Sequence, residues 1–242
     1  MSKKESNRTL LPWITGIMMV IAVAVLAAVY WNRNVTVQEL DFNELTFTEN
    51  EEIEAAAAVP YGIQPDSLDI QAVADRVQRL NYVRSVSSYI EPSGDLRLTI
   101  AEREPIAMLI DGANRSYVDA EGVILPILED KTRDVPLLYG YSVIVKDTLK
   151  DESFLQVRDF LMKARIDEFG WATISEVAFD PNDGVVALSQ ENGVKLIFGR
   201  NDFEMKLENW KAFYKQVVRT RSIQTMQQVD LRFLNQVVTR EI

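Results

Sequence analysis

From Leu10 to Trp31 no residue carries a charge: LLPWITGIMMVIAVAVLAAVYW. As a helix rising about 1.5 Å per residue, this run covers roughly 33 Å, which matches a bilayer hydrocarbon core of about 30 Å. A helix buried in a globular core is rarely apolar on every face for so long. Trp13 stands near one end and Tyr30 and Trp31 at the other, where amphipathic rings favour the headgroup region. The run therefore reads as one transmembrane helix over residues 10–31. Ala22-Val23-Ala24 offers a signal-peptidase pattern, but the apolar run exceeds the usual length of roughly 7–15 residues and continues to Trp31 without a polar release. An uncleaved anchor is the better reading.

The flanks set its direction. Lys3, Lys4 and Arg8 precede the run, whereas Arg33 is the one basic residue after it before Arg76. Beyond Arg33 come Glu39, Asp41, Glu44, Glu49, Glu51, Glu52 and Glu54. The positive-inside bias keeps residues 1–9 as a cytoplasmic tail and sends the remainder across the plasma (inner) membrane.

Composition narrows the chemistry of the exported part. The chain has no Cys, which excludes disulfides, iron–sulfur clusters, zinc-thiolate sites and thiol nucleophiles. It also has no His, and so lacks the usual general base near neutral pH and the commonest metal ligand. A formal net charge of -10 argues against nucleic-acid or anionic-lipid partners. Stability must come from an ordinary hydrophobic core, for which 242 residues suffice.

Past the anchor, two regions differ in pattern. Val35, Val37 and Leu40 suggest a short strand. Thr48 and Glu51 have capping-box spacing for a helix running to Pro60. Asp69 can cap a second helix with the stripe Ile70, Val73, Val77 and Leu80. Val83–Ile90 and Leu96–Glu102 then flank Pro92-Ser93-Gly94-Asp95, a hairpin in which Leu96, Leu98 and Ile100 face inward. From about residue 106 the chain reads as mainly β. Short strands are expected at 106–110, 116–118 and 123–125, then a helix over 153–169 stopped by Gly170. A meander follows at 174–179, 185–189 and 194–198, and a helix starts near Asp202. Strands at 228–233 and 236–240 pair around Leu234-Asn235.

This layout and five segments resemble the FtsQ/DivIB family of bacterial cell-division proteins. They are Leu80-Asn81-Tyr82-Val83, Glu102-Arg103-Glu104-Pro105-Ile106-Ala107, Tyr117-Val118-Asp119-Ala120-Glu121-Gly122, Val135-Pro136-Leu137-Leu138-Tyr139-Gly140 and Val229-Asp230-Leu231-Arg232-Phe233. Each is weak alone, but all five occur in the family's order. Asn235-Gln236 departs from the more usual small or Gly-containing turn. The fold class implied is α+β: a single N-terminal transmembrane helix, a POTRA-like β-α-α-β-β domain over 32–105, and a mainly antiparallel β-sheet domain with helices on one face over 106–242.

The resemblance implies a division-septum scaffold and not an enzyme. Its partners would be FtsB-like and FtsL-like single-pass proteins outside the cytoplasm, in a complex that helps regulate septal peptidoglycan synthesis. No cofactor, metal, nucleic acid or small-molecule substrate is expected. A sheet ending at the chain terminus offers unpaired N–H and C=O groups to an added strand. The candidate contacts are Arg232, Phe233, Asn235, Gln236, Val237, Val238, Thr239 and Arg240. Alternation places Gln236, Val238 and Arg240 on one face and Val237 and Thr239 on the other, one set packing on the domain. Arg232 is a candidate for bidentate pairing with a partner carboxylate, and Phe233 for an apolar anchor. The plainer alternatives are a core Phe233 and a solvated Arg232. Glu102 and Arg103 are candidates for an interdomain or recruitment role.

Rival chemistries find less support. A membrane-anchored Ser–Lys hydrolase of the signal-peptidase kind needs a Ser activated by Lys, and no Ser-Met-Pro motif occurs. Asp180-Pro181-Asn182-Asp183-Gly184 lacks Gly at the sixth position of a calcium loop, where Val185 stands, and reads as a hairpin turn. A POTRA-type export or assembly component would continue into many barrel strands, which two long helices after residue 105 do not fit.

Overall fold

The computed structural model of the chain describes residues 11–144, 148–218, 223–234 and 236–241. The expected cytoplasmic tail and Asn235 lie outside the described residues. The chain divides into two compact units, Met1–Glu102 and Arg103–Ile242.

The apolar run forms α1 (Leu11–Asn34). Its described side chains, Trp13 to Leu26 and Tyr30, are all exposed. That stretch from Trp13 to Leu26 covers roughly 20 Å at about 1.5 Å per residue. Among the described residues, no helix is long and apolar enough to cross a membrane.

The rest of the first unit runs β1 (Leu40–Phe42), α2 (Asn50–Ala57), α3 (Ile70–Val77), β2 (Val83–Ile90) and β3 (Leu96–Glu102), the expected β-α-α-β-β order. The sheet order is β1-β3-β2, with β1 parallel and β2 antiparallel to β3. Leu96, Leu98 and Ile100 turn into a core with Val37, Ile53, Ala57, Val73, Val77 and Val83. Asp69 caps α3 as its position predicts, accepting the Ala72 N–H at 3.0 Å. The capping box at Thr48 does not form. Helix α2 starts one residue later, with Glu49 at the cap and no side-chain cap bond. Thr48 instead donates both its backbone N–H and its hydroxyl to the Glu102 carboxylate, a charged acceptor carried in by β3.

The second unit is a sheet flanked by helices. Its strands are β4 (Pro105–Asp111), β5 (Asn114–Asp119), β6 (Ile124–Leu125), β7 (Leu137–Tyr139), β8 (Ile174–Asp180), β9 (Gly184–Ser189), β10 (Lys195–Gly199), β11 (Met226–Asp230) and β12 (Val238–Glu241). Helices α4 (Glu152–Ile166) and α5 (Glu168–Thr173) join β7 to β8, and α6 (Phe203–Phe213) lies between β10 and β11. The strand order is β12-β11-β10-β9-β8-β7-β4-β5-β6.

This sheet is more mixed than its hairpin signals suggest. β4–β7, β7–β8 and β10–β11 pair in parallel. A parallel neighbour needs a long crossover, and the two helical insertions provide such crossovers after β7 and after β10. Gly170 is also not a helix stop. It sits buried inside α5, where a Cβ would lie 3.1 Å from Leu207 Cδ2 of α6. The break falls at Asp167 instead, whose carboxylate caps α5 by accepting the Gly170 N–H at 3.0 Å.

The helices cover a core of Phe154, Phe160 and Leu161 on α4, Leu207 and Trp210 on α6, and Val177, Ala187, Leu196, Phe198 and Val229 on the sheet. The Phe160 and Phe198 ring centroids are 4.5 Å apart, and the Trp210 indole donates to the Thr173 hydroxyl at 3.0 Å. Both satisfy the rule that large buried aromatics pack on one another and find a partner for any polar atom.

The C-terminal sheet edge and its charged brace

The two ends of the large sheet differ. At one end β6 is two residues long, both buried, and the preceding Val123 bridges to Thr148. At the other end lies β12, all four residues of which are exposed. It pairs antiparallel with β11 through Val238 opposite Asp230, Thr239 opposite Val229 and Arg240 opposite Gln228. Among the described residues its outer side has no strand beside it. A strand so placed presents its outward N–H and C=O groups to whatever approaches.

The expected contact residues gather at this edge with different surroundings. Val238, Thr239 and Arg240 lie on β12, preceded by exposed Gln236. Val237 is half-buried and packs on the core. The alternation expected along this segment therefore holds only at its start. Beyond Val237 all four residues of β12 are exposed, so neither face of the strand is buried. Phe233 is 44% exposed and thus not a core residue, and its neighbour Leu234 is 67% exposed.

Arg232 is neither free nor simply solvated. Its Nε donates to Asp230 Oδ1 at 2.9 Å, its Nη2 to Asp230 Oδ2 at 2.6 Å and its Nη1 to Asp183 Oδ1 at 3.1 Å. The Arg232 backbone N–H also donates to Asp230 Oδ1 at 3.1 Å. Asp183 Oδ2 in turn accepts from Lys195 Nζ at 2.8 Å. Burial acts to raise the Asp230 carboxyl, but these hydrogen bonds and the Arg232 charge hold it below the ordinary carboxylate range. Arg232 is held above the ordinary guanidinium value, first by its hydrogen bond to Asp230.

The backbone beneath this brace is shaped by two glycines. Gly184 has φ 77° and Gly199 φ 79°, both in the left-handed region. A Cβ on Gly184 would lie 2.5 Å from the Gly199 backbone, and one on Gly199 would lie 3.1 Å from Arg232 Cγ. The β8–β9 turn, the end of β10 and the Arg232 stem are therefore stacked on one another. Close by, the buried Lys206 donates to the Asn201 carbonyl at 2.6 Å, and desolvation pushes its ammonium down from the ordinary lysine value.

Glu102 and Arg103 are placed within separate units. Glu102 accepts from the backbone N–H groups of Thr46, Phe47 and Thr48. Arg103 donates to Asp119 at 2.7 Å and to Glu121 at 2.8 Å. Asp119 also accepts from the N–H groups of Glu121 and Val123, which closes the Tyr117–Gly122 turn.

Sequence reasoning missed Asp183, Asp230 and Leu234 as parts of this edge. Asp230 and Arg232 stand two residues apart, a spacing that puts both on one side of a strand and was legible. Asp183 lies far away in the chain, and no local pattern connects it to Arg232.

The profile of the family described as "FtsQ/DivIB, C-terminal related" matches residues 104–240. The cell division protein FtsQ of Rhodothermus marinus is 33% identical over 237 residues, covering 93% of this chain and 86% of the relative. That of Salinibacter ruber is 26% identical over 222 residues, covering 87% of this chain and 84% of the relative. The solved major extracytoplasmic domain of DivIB from Geobacillus stearothermophilus aligns at 21% identity and a TM-score of 0.34, over 49% of this chain and 97% of that one. This last likeness is loose and adds nothing to the assignment. The relatives are named as cell-division proteins, so the hydrolase alternative gives way to a non-enzymatic division role. On a profile match over most of the second unit and a relative aligned along nearly its whole length, the chain belongs to the FtsQ/DivIB family of cell-division proteins.

Proposed function

We propose that this chain is a bitopic scaffold of the division septum, anchored by residues 10–31 with its tail 1–9 in the cytoplasm. Its exported part, a POTRA-like domain followed by a β domain, docks FtsB-like and FtsL-like single-pass partners and so helps regulate septal peptidoglycan synthesis. The docking mode is strand addition at β12. The observation that carries this reading is the exposed β12, which among the described residues has no strand on its outer side, beside exposed Phe233, Leu234 and Val238. Backbone hydrogen bonds to an incoming strand supply affinity, and the apolar side chains select the partner sequence. The anchor is supported by the described part of α1, where Ile14, Ile17, Met18, Val20, Ile21, Val23, Val25 and Leu26 are all more than half exposed. Such a surface calls for an apolar surrounding. Tethering to one membrane raises the effective concentration of other tethered chains, so a modest contact suffices.

The test uses two neighbouring proline variants of the full chain in lipid nanodiscs. Successive residues of a strand direct their N–H groups to opposite sides. One of Val238→Pro and Thr239→Pro therefore removes a donor from the outer edge, and the other removes one from the ladder to β11. One variant should keep the wild-type unfolding midpoint yet lose binding to the same organism's FtsB-like protein. Wild-type affinity in both would sink strand addition at this edge.

A further inference from the structure

The turn Pro181–Gly184 stands out in the sequence, and the edge reading gives it no role. Its carboxylates are committed internally. Asp180 accepts from the backbone N–H groups of Asn182 and Asp183 at 2.8 and 2.9 Å, which shapes the turn. Arg200 donates to the Pro181 carbonyl at 2.6 Å, which fixes it from the other side. Thus constrained, the turn holds Asp183 between Lys195 and Arg232. Arg232 is the last residue before Phe233 and Leu234, and the preceding Leu231 is fully buried, its N–H donating to the Ile197 carbonyl at 2.9 Å.

We infer that Asp183 is a positioning residue for partner docking, acting through Arg232 to fix the direction in which Phe233 and Leu234 leave the sheet. The inference rests on the proposed docking at β12. Leu231 pins the backbone on the core side of Arg232, and among the described residues the Arg232 side chain ties the start of the loop to another element through Asp183. Asp230, paired in the sheet opposite Ile197 and Val238, holds the Arg232 fork from its own segment. Asp183 supplies a reference point on a different hairpin, stacked in place by the Gly184–Gly199 contact. In this arrangement Arg232 recognises the partner by orienting its neighbours, with its fork already engaged by two carboxylates of its own chain.

The experiment measures the affinity of the full chain in nanodiscs for the same organism's FtsB-like protein. The variants are Asp183→Asn, Arg232→Gln, their combination and Asp183→Glu, with thermal unfolding and amide exchange of residues 231–234 followed in each. Asp183→Asn should weaken binding roughly tenfold, the equivalent of one charge-assisted hydrogen bond. Its unfolding midpoint should stay unchanged while amide exchange at Phe233 and Leu234 quickens. The double variant should bind no more weakly than Arg232→Gln alone, because the two residues act as one unit. Asp183→Glu should restore most of the affinity. Wild-type binding by Asp183→Asn alongside weakened binding by Arg232→Gln would overturn the inference and make Arg232 a direct contact. A lowered midpoint in Asp183→Asn that accounts for its weaker binding would overturn it too, as a purely structural effect. If neither proline variant at Val238 and Thr239 alters binding, the edge reading fails and takes this inference with it. That outcome is distinct from the previous two.

Discussion

The Glu102 carboxylate lies 2.7 Å from the Thr48 backbone nitrogen and 2.9 Å from the Thr48 hydroxyl, as part of a set of acceptors that also serves Thr46 and Phe47. One side chain at the end of β3 thus closes the turn that leads into α2. Glu102→Ala leaves several backbone donors without their charged acceptor and should cost about 2–4 kcal/mol of unfolding free energy. Glu102→Gln keeps one acceptor oxygen and should fall between. Urea unfolding of the two variants checks this. A wild-type midpoint for Glu102→Ala would show that water replaces the carboxylate without loss.

Arg103 should behave differently from its neighbour. Its partner Asp119 has only 5% of its side chain exposed, while Glu121 is open to solvent. Arg103→Ala strands a mostly buried carboxylate and should cost about 2–3 kcal/mol. Glu121→Ala removes a solvent-screened pair and should cost less than about 1 kcal/mol. Comparable losses in the two would contradict the burial argument.

Gly184 is predicted to be irreplaceable by alanine. Its φ of 77° disfavours any side chain, and the added Cβ would lie 2.5 Å from Gly199. Strain and steric overlap together should exceed about 2 kcal/mol. Gly112, with φ 59° but open space around its Cβ position, should lose only about 1 kcal/mol on the same change. The contrast between the two sites, read by thermal unfolding, separates backbone strain from close packing.

Acid should loosen the second unit through Asp230 and Asp151. Burial acts to raise both carboxyls. The Arg232 bonds at Asp230, and the Ser153 hydroxyl and Phe154 N–H at Asp151, outweigh it and hold both below their ordinary value. A folded pKa below the unfolded one stabilises the fold at pH values above the unfolded pKa of about 3.9. That stabilisation is then lost as pH falls through the folded values. Stability from these groups should be level from pH 7 to about 5 and decline below about pH 4. Asp230→Asn should flatten the acid limb when unfolding is followed by fluorescence against pH. An unaltered limb would remove Asp230 from the cause.

At the proposed docking edge, Phe233→Ser and Leu234→Ser should weaken partner binding while leaving the fold intact, since Leu234 is mostly and Phe233 nearly half exposed. Losses of about 1–3 kcal/mol of binding free energy are the range for an apolar anchor. Calorimetric titration with the proposed FtsB-like partner measures them. Unchanged affinity in both would leave backbone pairing as the sole source of recognition.

Much of the architecture was legible. Asp69 caps α3, Leu96, Leu98 and Ile100 point inward, and the terminal strands pair as a hairpin. Each depends on neighbours within a few residues, where periodicity and capping chemistry act. The errors have a common source in distant partners. Thr48 looks like a helix cap until β3 brings Glu102 beside it. Gly170 looks like a stop until α6 packs against it.

The uncharged run, its flanking charges, the absence of Cys and His, and most of the order of strands and helices, though not β7 or the separate α5, were determined by the sequence by itself. These are sums over composition and short-range pattern, and no contact is needed to read them. Only the tertiary structure decided which strand ends the large sheet, that its pairings are partly parallel, and that Arg232 is held by Asp183 on another hairpin. Such pairings join residues far apart in the chain. They are settled by which surfaces the core leaves facing one another, and a linear pattern of side chains does not carry that information.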